Sequence, residues 1–512
     1  MPRDCRTLGA YFTPEAVVDA LVRWVVRDPA DLLLDPSSGD GRFIALHPHS
    51  VGVERDPVSV AEAACRAPHA TVVEADFFTW AADDRRRFDC AAGNPPFIRY
   101  QRFTGATRRA ALDYCRRLGV TFSALSSSWA PFIVAAASKL RLGGRLAFVV
   151  PAEIGHAPYA VPLLDYLVAN FGSVHVVAIK EKVFPRLSED CWLLLADNAG
   201  CRTDNIRLSG IECFGPGATP PRVSEKISIE AWRNRWRGRL RPFLLPPRVR
   251  DVYERMAADH GTVRLGHIAQ VGIGYISGAN RFFHLRPSDA ARFQIPDEFL
   301  VPSIRNSRYI TGAVIDDADI ERWIARDEPV FLLRIPPRAE VPDAVRAYLG
   351  TDEGRRAKAA YKCRNRTPWY TVPDVRRPEF VLTYMSGKSP ALAVNRGRCT
   401  CTNALLAVDL RSGLFDRGAA LSGEQLSTAW GSAAGRLSCE LEGHPLGGGM
   451  LKLEPGEARH VLLMPDEGIG RSEAVLLEEG VEVMRQWRHV GGSSRFNGTG
   501  AADLEDYEPR KT

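Results

Sequence analysis

The hydrophobic positions of this chain fall into two regimes. From residue 14 to about residue 195, apolar clusters at helical spacing alternate with short unbroken apolar runs. Residues 14–27 (PEAVVDALVRWVVR) place apolar side chains every three to four positions. That spacing predicts a helix, with Thr13 as N-cap and Pro14 at the first helical position. The runs at 32–34, 50–54, 70–74 and 88–92 are short and end in polar or glycine-bearing segments, so they read as buried strands. Residues 128–140 and 161–170 read as helices, and 146–151, 174–179 and 191–195 as further strands. Strands alternating with helices predict an α/β fold, a mostly parallel sheet with helices on both faces.

After about residue 200 the alternation stops, and Gly, Pro and Arg become frequent. Arg occupies positions 233, 235, 237, 239, 241, 248 and 250, a run that reads as a charged linker or a phosphate-facing segment. A chain of 512 residues exceeds the usual single core. The expected division is therefore an α/β domain over residues 1–225, an irregular α+β domain over 226–490, and a Gly-, Ser- and charge-rich flexible tail over 491–512. No apolar run is long enough to span a membrane, and the N-terminus lacks the apolar core of a secretory signal, so a cytoplasmic protein is expected. The 11 cysteines are scattered and odd in number, which argues against a disulfide framework. Only Cys399 and Cys401 are close-set, and no second Cys/His pair supplies a zinc spacing. A formal charge of +6 permits a polyanionic partner without requiring one.

The candidate chemistry sits where the predicted strands end. In an open parallel sheet, ligands bind beyond the carboxyl ends of the strands. The first strand runs into Asp35-Pro36-Ser37-Ser38-Gly39-Asp40-Gly41, the second ends at Glu54, and the third is followed by Asp76-Phe77. Gly39 and Gly41 let the backbone approach a ligand, and Asp35 can face a cationic or amino group. Glu54 offers paired oxygens to the two hydroxyls of a ribose. Asp76 can accept from an adenine amine, with Phe77 packing beside it. The glycine spacing is not the G-x-G-x-x-G that cradles a pyrophosphate. A nucleoside without phosphates fits better, and S-adenosyl-L-methionine is the expected cofactor.

The fourth strand leads into Asn94-Pro95-Pro96-Phe97. An aromatic amine is a poor nucleophile because its lone pair is delocalised into the ring. Two acceptors aimed at its N–H groups localise that pair, and the Asn94 side-chain carbonyl and the Pro95 main-chain carbonyl can provide them. The prolines stiffen the backbone that aims these groups, and Phe97 offers a flat face to a base. Such chemistry needs neither a covalent nucleophile nor a general base before attack on a sulfonium methyl.

Taken in order, Tyr11-Phe12-Thr13-Pro14, Asp35 to Gly41, Glu54, Asp76 and Asn94 to Phe97 resemble the motifs of the gamma-class N6-adenine DNA methyltransferases of type II restriction–modification systems. The resemblance is specific over residues 9–195 and looser through 271–280 (VGIGYISGAN). It implies a class I, Rossmann-like S-adenosylmethionine-dependent methyltransferase domain followed by a C-terminal α+β DNA-recognition domain. It further implies that Phe12 and Thr13 shelve the cofactor's methionine end and that Pro96 and Phe132 line its pocket. Phe184 and Phe97 are then expected to sandwich an adenine flipped out of duplex DNA. The duplex is expected to meet the second domain, through Arg355, Lys358, Lys362, Arg364, Arg366, Trp369 and Tyr370, a segment mixing cations with aromatics. Arg376, Arg377 and Lys388 extend it. The implied partners are double-stranded DNA and a cognate restriction endonuclease, with the protein acting as a monomer.

Other readings stay open at this level. Cytosine N4 uses the same chemistry, although its enzymes more often carry Ser in place of Asn94. Methylation of an RNA base or a glutamine amide also uses related tetrapeptides, but with a small module ahead of the catalytic motifs rather than a long domain after them. A nuclease-fused enzyme, or a DNA-recognising protein with a decayed catalytic half, fits the residues less well.

Overall fold

The computed structural model describes residues 13–184, 190–411, 423–464 and 469–490. It divides into two compact units, residues 1–244 and 245–512. The first is built on one nine-stranded sheet of order β3-β2-β1-β4-β5-β7-β6-β8-β9. Its strands are β1 (Leu33–Asp35), β2 (Ser50–Glu54), β3 (Thr71–Glu74), β4 (Phe88–Gly93), β5 (Leu140–Pro151), β6 (Phe171–Ile179), β7 (Cys191–Ala199), β8 (Asn205–Ile211) and β9 (Glu225–Ser228). Neighbours pair parallel from β3 to β5, and β6 pairs parallel with β8. Strand β7 lies antiparallel between β5 and β6, and β9 antiparallel beside β8. The chain runs outward from β1 through β2 to β3, then crosses to β4 on the other side. The order thus reverses between β1 and β4, where the carboxyl ends of an open sheet leave a crevice.

Helices α1 (Glu15–Val25), α2 (Pro57–Arg66), α3 (Phe77–Asp83), α4 (Gly105–Arg117), α5 (Trp129–Ser138) and α6 (Val161–Asn170) connect or cover these strands. Helix α1 is amphipathic because Val17, Val18, Leu21, Val22 and Val25 recur on one side. They pack on Leu33, Cys90, Ala92, Ala147, Val149 and Leu193, the side chains that one face of the central strands presents. Its start differs from expectation: Pro14 itself is the N-cap and Glu15 the first helical residue, with no side-chain cap from Thr13. Helix α5 is apolar all round, and Trp129 through Ala137 are all buried.

The boundary expected at residue 225 lies instead at residue 244. Strand β9 completes the first sheet, Trp232 is fully buried, and Arg233 pairs with Asp165 of α6. The arginine run is therefore folded structure rather than a linker: Arg241 and Arg250 are 3% and 8% exposed. The tail expected over 491–512 lies outside the described residues.

The second unit is an α+β body of small sheets. Its five-stranded sheet orders Ala269–Ile273, Leu405–Leu410, Phe380–Thr383, Leu392–Asn395 and Val314–Ile315, and two-, four- and three-stranded sheets accompany it. Arg488, fully buried, donates to both carboxylate oxygens of the equally buried Glu440, at 2.8 and 2.7 Å. A buried charge is tolerable only when paired in this way. Cys399 and Cys401 are buried among Ile304, Val381 and Leu405, as core residues. No described helix is long and apolar enough to cross a membrane.

Candidate active site

Four acceptor-bearing segments reach one rim of the first unit because four adjacent parallel strands end there. Asp35 closes β1 and is 1% exposed. One carboxylate oxygen accepts from the Ser37 amide at 3.1 Å. Burial pushes the Asp35 carboxyl up to about 8; the Ser37 amide opposes that shift, and Glu54 and Asp40 add to it. Gly93, at the end of β4, is required by this carboxylate, since a Cβ there would stand 2.7 Å from Asp35 Oδ1. The end of β1 thus touches the end of β4, at the reversal of strand order.

The turn after β1 is braced for close approach. Gly41 adopts φ +87°, and a Cβ on it would stand 2.8 Å from the Ala63 backbone of α2. Asp40 accepts from Arg66 at 2.8 Å and Arg42 at 3.0 Å, and Arg66 also donates to the Asp40 carbonyl. Glu54 closes β2 and turns its carboxylate back over this turn. It accepts from the amides of Gly39 at 3.0 Å, Arg55 at 2.7 Å and Asp56 at 2.9 Å. A carboxylate has about four lone-pair sites, so three amides orient Glu54 without exhausting it.

Asp76 is the N-cap of α3, and its Oδ1 accepts from the amides of Phe78 and Thr79. The cap uses one carboxylate oxygen, Oδ1. Beside it, Phe77 stacks on Phe132 of α5, with centroids 5.6 Å apart and planes 12° from parallel. Phe78 meets Phe132 edge-on at 4.7 Å. Asp76 therefore opens the helix whose Phe77 and Phe78 both pack on Phe132.

Asn94-Pro95-Pro96-Phe97 follows β4 directly, with Pro95 buried and the other three partly exposed. Proline lacks an N–H, so this loop is held through its carbonyls and the amides that follow it. Ser37 donates to the Asn94 main-chain carbonyl at 3.4 Å. Ser128, just before α5, donates to the Pro96 carbonyl and accepts from the Ile98 amide at 2.9 Å. Neither serine announces this in the sequence, where Ser126-Ser127-Ser128 signals only a helix start. Phe184 is 7% exposed and belongs to the hydrophobic cluster on which Phe97 packs. Thr13 is buried and its carbonyl accepts from Arg42 at 3.4 Å, whereas Phe12 lies outside the described residues.

In the second unit the expected DNA-facing residues divide. Lys358, Tyr361 and Arg364 are exposed, with Arg364 stacked over the Tyr361 ring at 5.2 Å and Lys362 beside it at 5.9 Å. Arg355 is exposed but pairs with Asp352 and donates to the Gly350 carbonyl. Arg366 turns inward, donating to the carbonyls of Ser277 at 2.6 Å and Ile276 at 2.7 Å. Trp369 packs against Phe282 and Phe283, and Tyr370 against Trp369. Arg366 and Trp369 thus serve the fold: Arg366 holds the 271–280 segment, whose Gly274 could carry no Cβ because Cys401 O would stand 2.2 Å away, and Trp369 packs just beyond it.

The sheet order is that of a class I methyltransferase fold, whose cofactor is S-adenosylmethionine. The residues present fit that group: the acids Asp35, Glu54 and Asp76 stand at neighbouring strand ends, beside a turn whose Gly41 lies close against Ala63 of α2. Residues 237–489 match the family of the C-terminal domain of type II methyltransferase M.Eco57I. Type II methyltransferase M.AccI of Acinetobacter calcoaceticus is 19% identical over 389 residues, covering 73% of this chain and 70% of that relative. M.HindII of Haemophilus influenzae is 22% identical over 327 residues, covering 59% and 60%. M.TthHB8I of Thermus thermophilus is 30% identical over 161 residues, 29% of this chain and 35% of that relative. The chain thus spans well under two thirds of some of the relatives it matches. Among solved structures, the DrdV–DNA complex superposes at a TM-score of 0.50 with 10% identity, covering 94% of this chain and 57% of that one. These likenesses are to type II restriction–modification methyltransferases.

Proposed function

We propose that this protein is a site-specific DNA methyltransferase that carries a methyl group from S-adenosyl-L-methionine to the N6 amino group of adenine in duplex DNA. The observation that carries the reading is that Asn94-Pro95-Pro96-Phe97 leaves β4 where Gly93 lies against the Asp35 carboxylate, at the reversal of strand order, with Ser37 donating to the Asn94 carbonyl. A cofactor seated at the end of β1 and an amine held at the end of β4 are then neighbours.

The reading assigns each residue a role. Glu54, oriented by three backbone amides, accepts from the ribose hydroxyls. Asp76 Oδ2 accepts from the cofactor's adenine amine, with Phe77 and Phe132 forming the wall. Asp35 faces the cationic end of the cofactor, whose sulfonium supplies an electrophilic methyl group. Thr13 and Phe12 close the methionine end, and Gly39 and Pro96 complete the pocket. Asn94 and Pro95 accept from the two N–H groups of the target amine and concentrate its lone pair. Phe97 and Phe184 hold the ring of a base rotated out of the duplex, because an amine inside stacked DNA cannot reach this rim. Lys358, Lys362 and Arg364 supply phosphate contacts, with Arg355 and Tyr370 at their margin, and a cognate restriction endonuclease is the functional partner.

The test is expression in a host that lacks DNA methylation, followed by single-molecule sequencing of its genome. N6-methyladenine in one fixed sequence context is expected. N4-methylcytosine would keep the mechanism and change the base. Unmodified DNA from cells holding folded, cofactor-binding protein would overturn the reading.

A further inference from the structure

We propose that Ser128 is a positioning residue for methyl transfer, a clamp that fixes the Asn94–Phe97 loop relative to the wall of the cofactor pocket. The inference rests on the reading of that loop as the amine-holding element. Ser128 is fully buried, and its hydroxyl and its amide both bond to residues 96–98. Its hydroxyl donates to the Pro96 carbonyl and accepts from the Ile98 amide at 2.9 Å, while its own amide donates to the Ile98 carbonyl at 3.0 Å.

Three features make this more than ordinary packing. First, the two prolines leave the loop no amide of its own between Asn94 and Phe97, so its path depends on what holds the flanking groups. A hydroxyl, donor and acceptor at once, can bridge Pro96 C=O and Ile98 N–H from a single atom. Second, the anchor is rigid. Ser128 leads into α5, whose first nine residues are buried, and Trp129 Nε1 donates to the Tyr159 hydroxyl at 3.3 Å. Third, the same helix carries Phe132, stacked on Phe77 beside Asp76. One helix therefore sets both the cofactor wall and the C-terminal side of the loop, while Ser37 holds the Asn94 carbonyl from the β1 turn. Ser128 touches neither substrate nor cofactor in this scheme. It acts by keeping the Asn94 and Pro95 acceptors in register with the methyl donor.

Ser128→Ala removes the bridge without adding volume. The turnover number for DNA methylation should fall about 10- to 100-fold, the scale on which a displacement of about 1 Å degrades an aligned reaction. Cofactor affinity by calorimetry and KM for DNA should stay within about twofold, a split that general unfolding does not produce. Ser128→Thr, which keeps the hydroxyl, should recover most of the rate. If the added methyl unfolds the threonine variant, Ser128→Cys, a weak donor of similar size, should fall between Ser and Ala. A turnover number for Ser128→Ala within twofold of the unaltered protein would overturn the proposal. So would a parallel loss of cofactor affinity that neither conservative variant repairs. Asn94→Ala assayed beside it separates the two readings. A dead Asn94→Ala with a normal Ser128→Ala removes only the clamp, whereas an active Asn94→Ala removes the underlying site as well.

Discussion

The rim of the first unit and the basic segment of the second drew the same kind of attention in the sequence, yet the fold treats them differently. On the rim, Asp35, Glu54, Asp76 and Asn94 lie at or just past the ends of four neighbouring strands, so their convergence follows from strand order. Each acid there is already oriented by backbone amides. In the segment 355–370, side chains of one chemistry go to opposite uses. Arg364 lies exposed over Tyr361, while Arg366, two residues on, is half-buried and donates to the carbonyls of Ser277 and Ile276. Residues tied to strand ends inherit their position from topology. Residues on short helices and turns have it decided by whichever partner they meet.

The sharpest test of that contrast removes Asn94. Asn94→Ala should lower the turnover number by about 100- to 1,000-fold or more, the range for deleting one preorganised polar group from a reacting centre. Cofactor affinity should hold within a few-fold, as read by calorimetry. Near-normal single-turnover rates would break the role assigned to the rim. Next in size is Phe184→Ala, expected to weaken engagement of a flipped base by ~1–3 kcal/mol, the scale of stacking on an aromatic side chain. Since Phe184 also packs in the core, 2-aminopurine at the target position is the readout that matters. An unchanged fluorescence response would count against the sandwich.

The second unit offers a paired comparison. Arg366→Ala should destabilise that unit by about 1–3 kcal/mol, because two carbonyls lose their donor, measured by urea unfolding. Lys358→Ala should leave stability alone, weaken DNA binding and reduce the salt slope by about 1. Equal effects of the two on unfolding would erase the distinction drawn between them.

The gentlest probe is pH. Asp35 binds its proton up to about pH 8 in the folded chain, against an ordinary value of 3.8. Between those limits the folded state holds more protons than the unfolded one, so Asp35 makes stability fall as pH rises, and its stabilising share is fully present only below the ordinary value. Asp35→Asn should flatten that part of the profile of melting temperature against pH. A cationic ligand favours the ionised carboxylate, so cofactor binding near pH 7 should release a proton, visible as a buffer-dependent binding enthalpy. Identical enthalpies in phosphate and Tris would argue that Asp35 does not face the cofactor's charge.

Much of the first unit was legible because its periodicities are strong. Strand β2 and helix α6 have the limits that their apolar runs predict. Strands β8 and β9 were missed, and with them the true boundary at residue 244. Arg207 interrupts the pattern in β8, and β9 is an edge strand with little apolar signature. The clamp by Ser128 was also out of reach. A serine ahead of a helix reads as a cap, and nothing local reveals a carbonyl 32 residues away.

The sequence by itself determined the kind of residue at each strand end and the order in which those ends appear. Spacing and residue chemistry are local properties of the chain. Only the tertiary structure decided which of those residues are held, by what, and at what ionisation. It buried Asp35, folded Glu54 over the Gly39 turn, and fixed the proline loop through Ser37 and Ser128. It also turned Arg366 inward and left Arg364 exposed. Those outcomes depend on burial and on long-range hydrogen bonds, which exist only once distant segments are packed together.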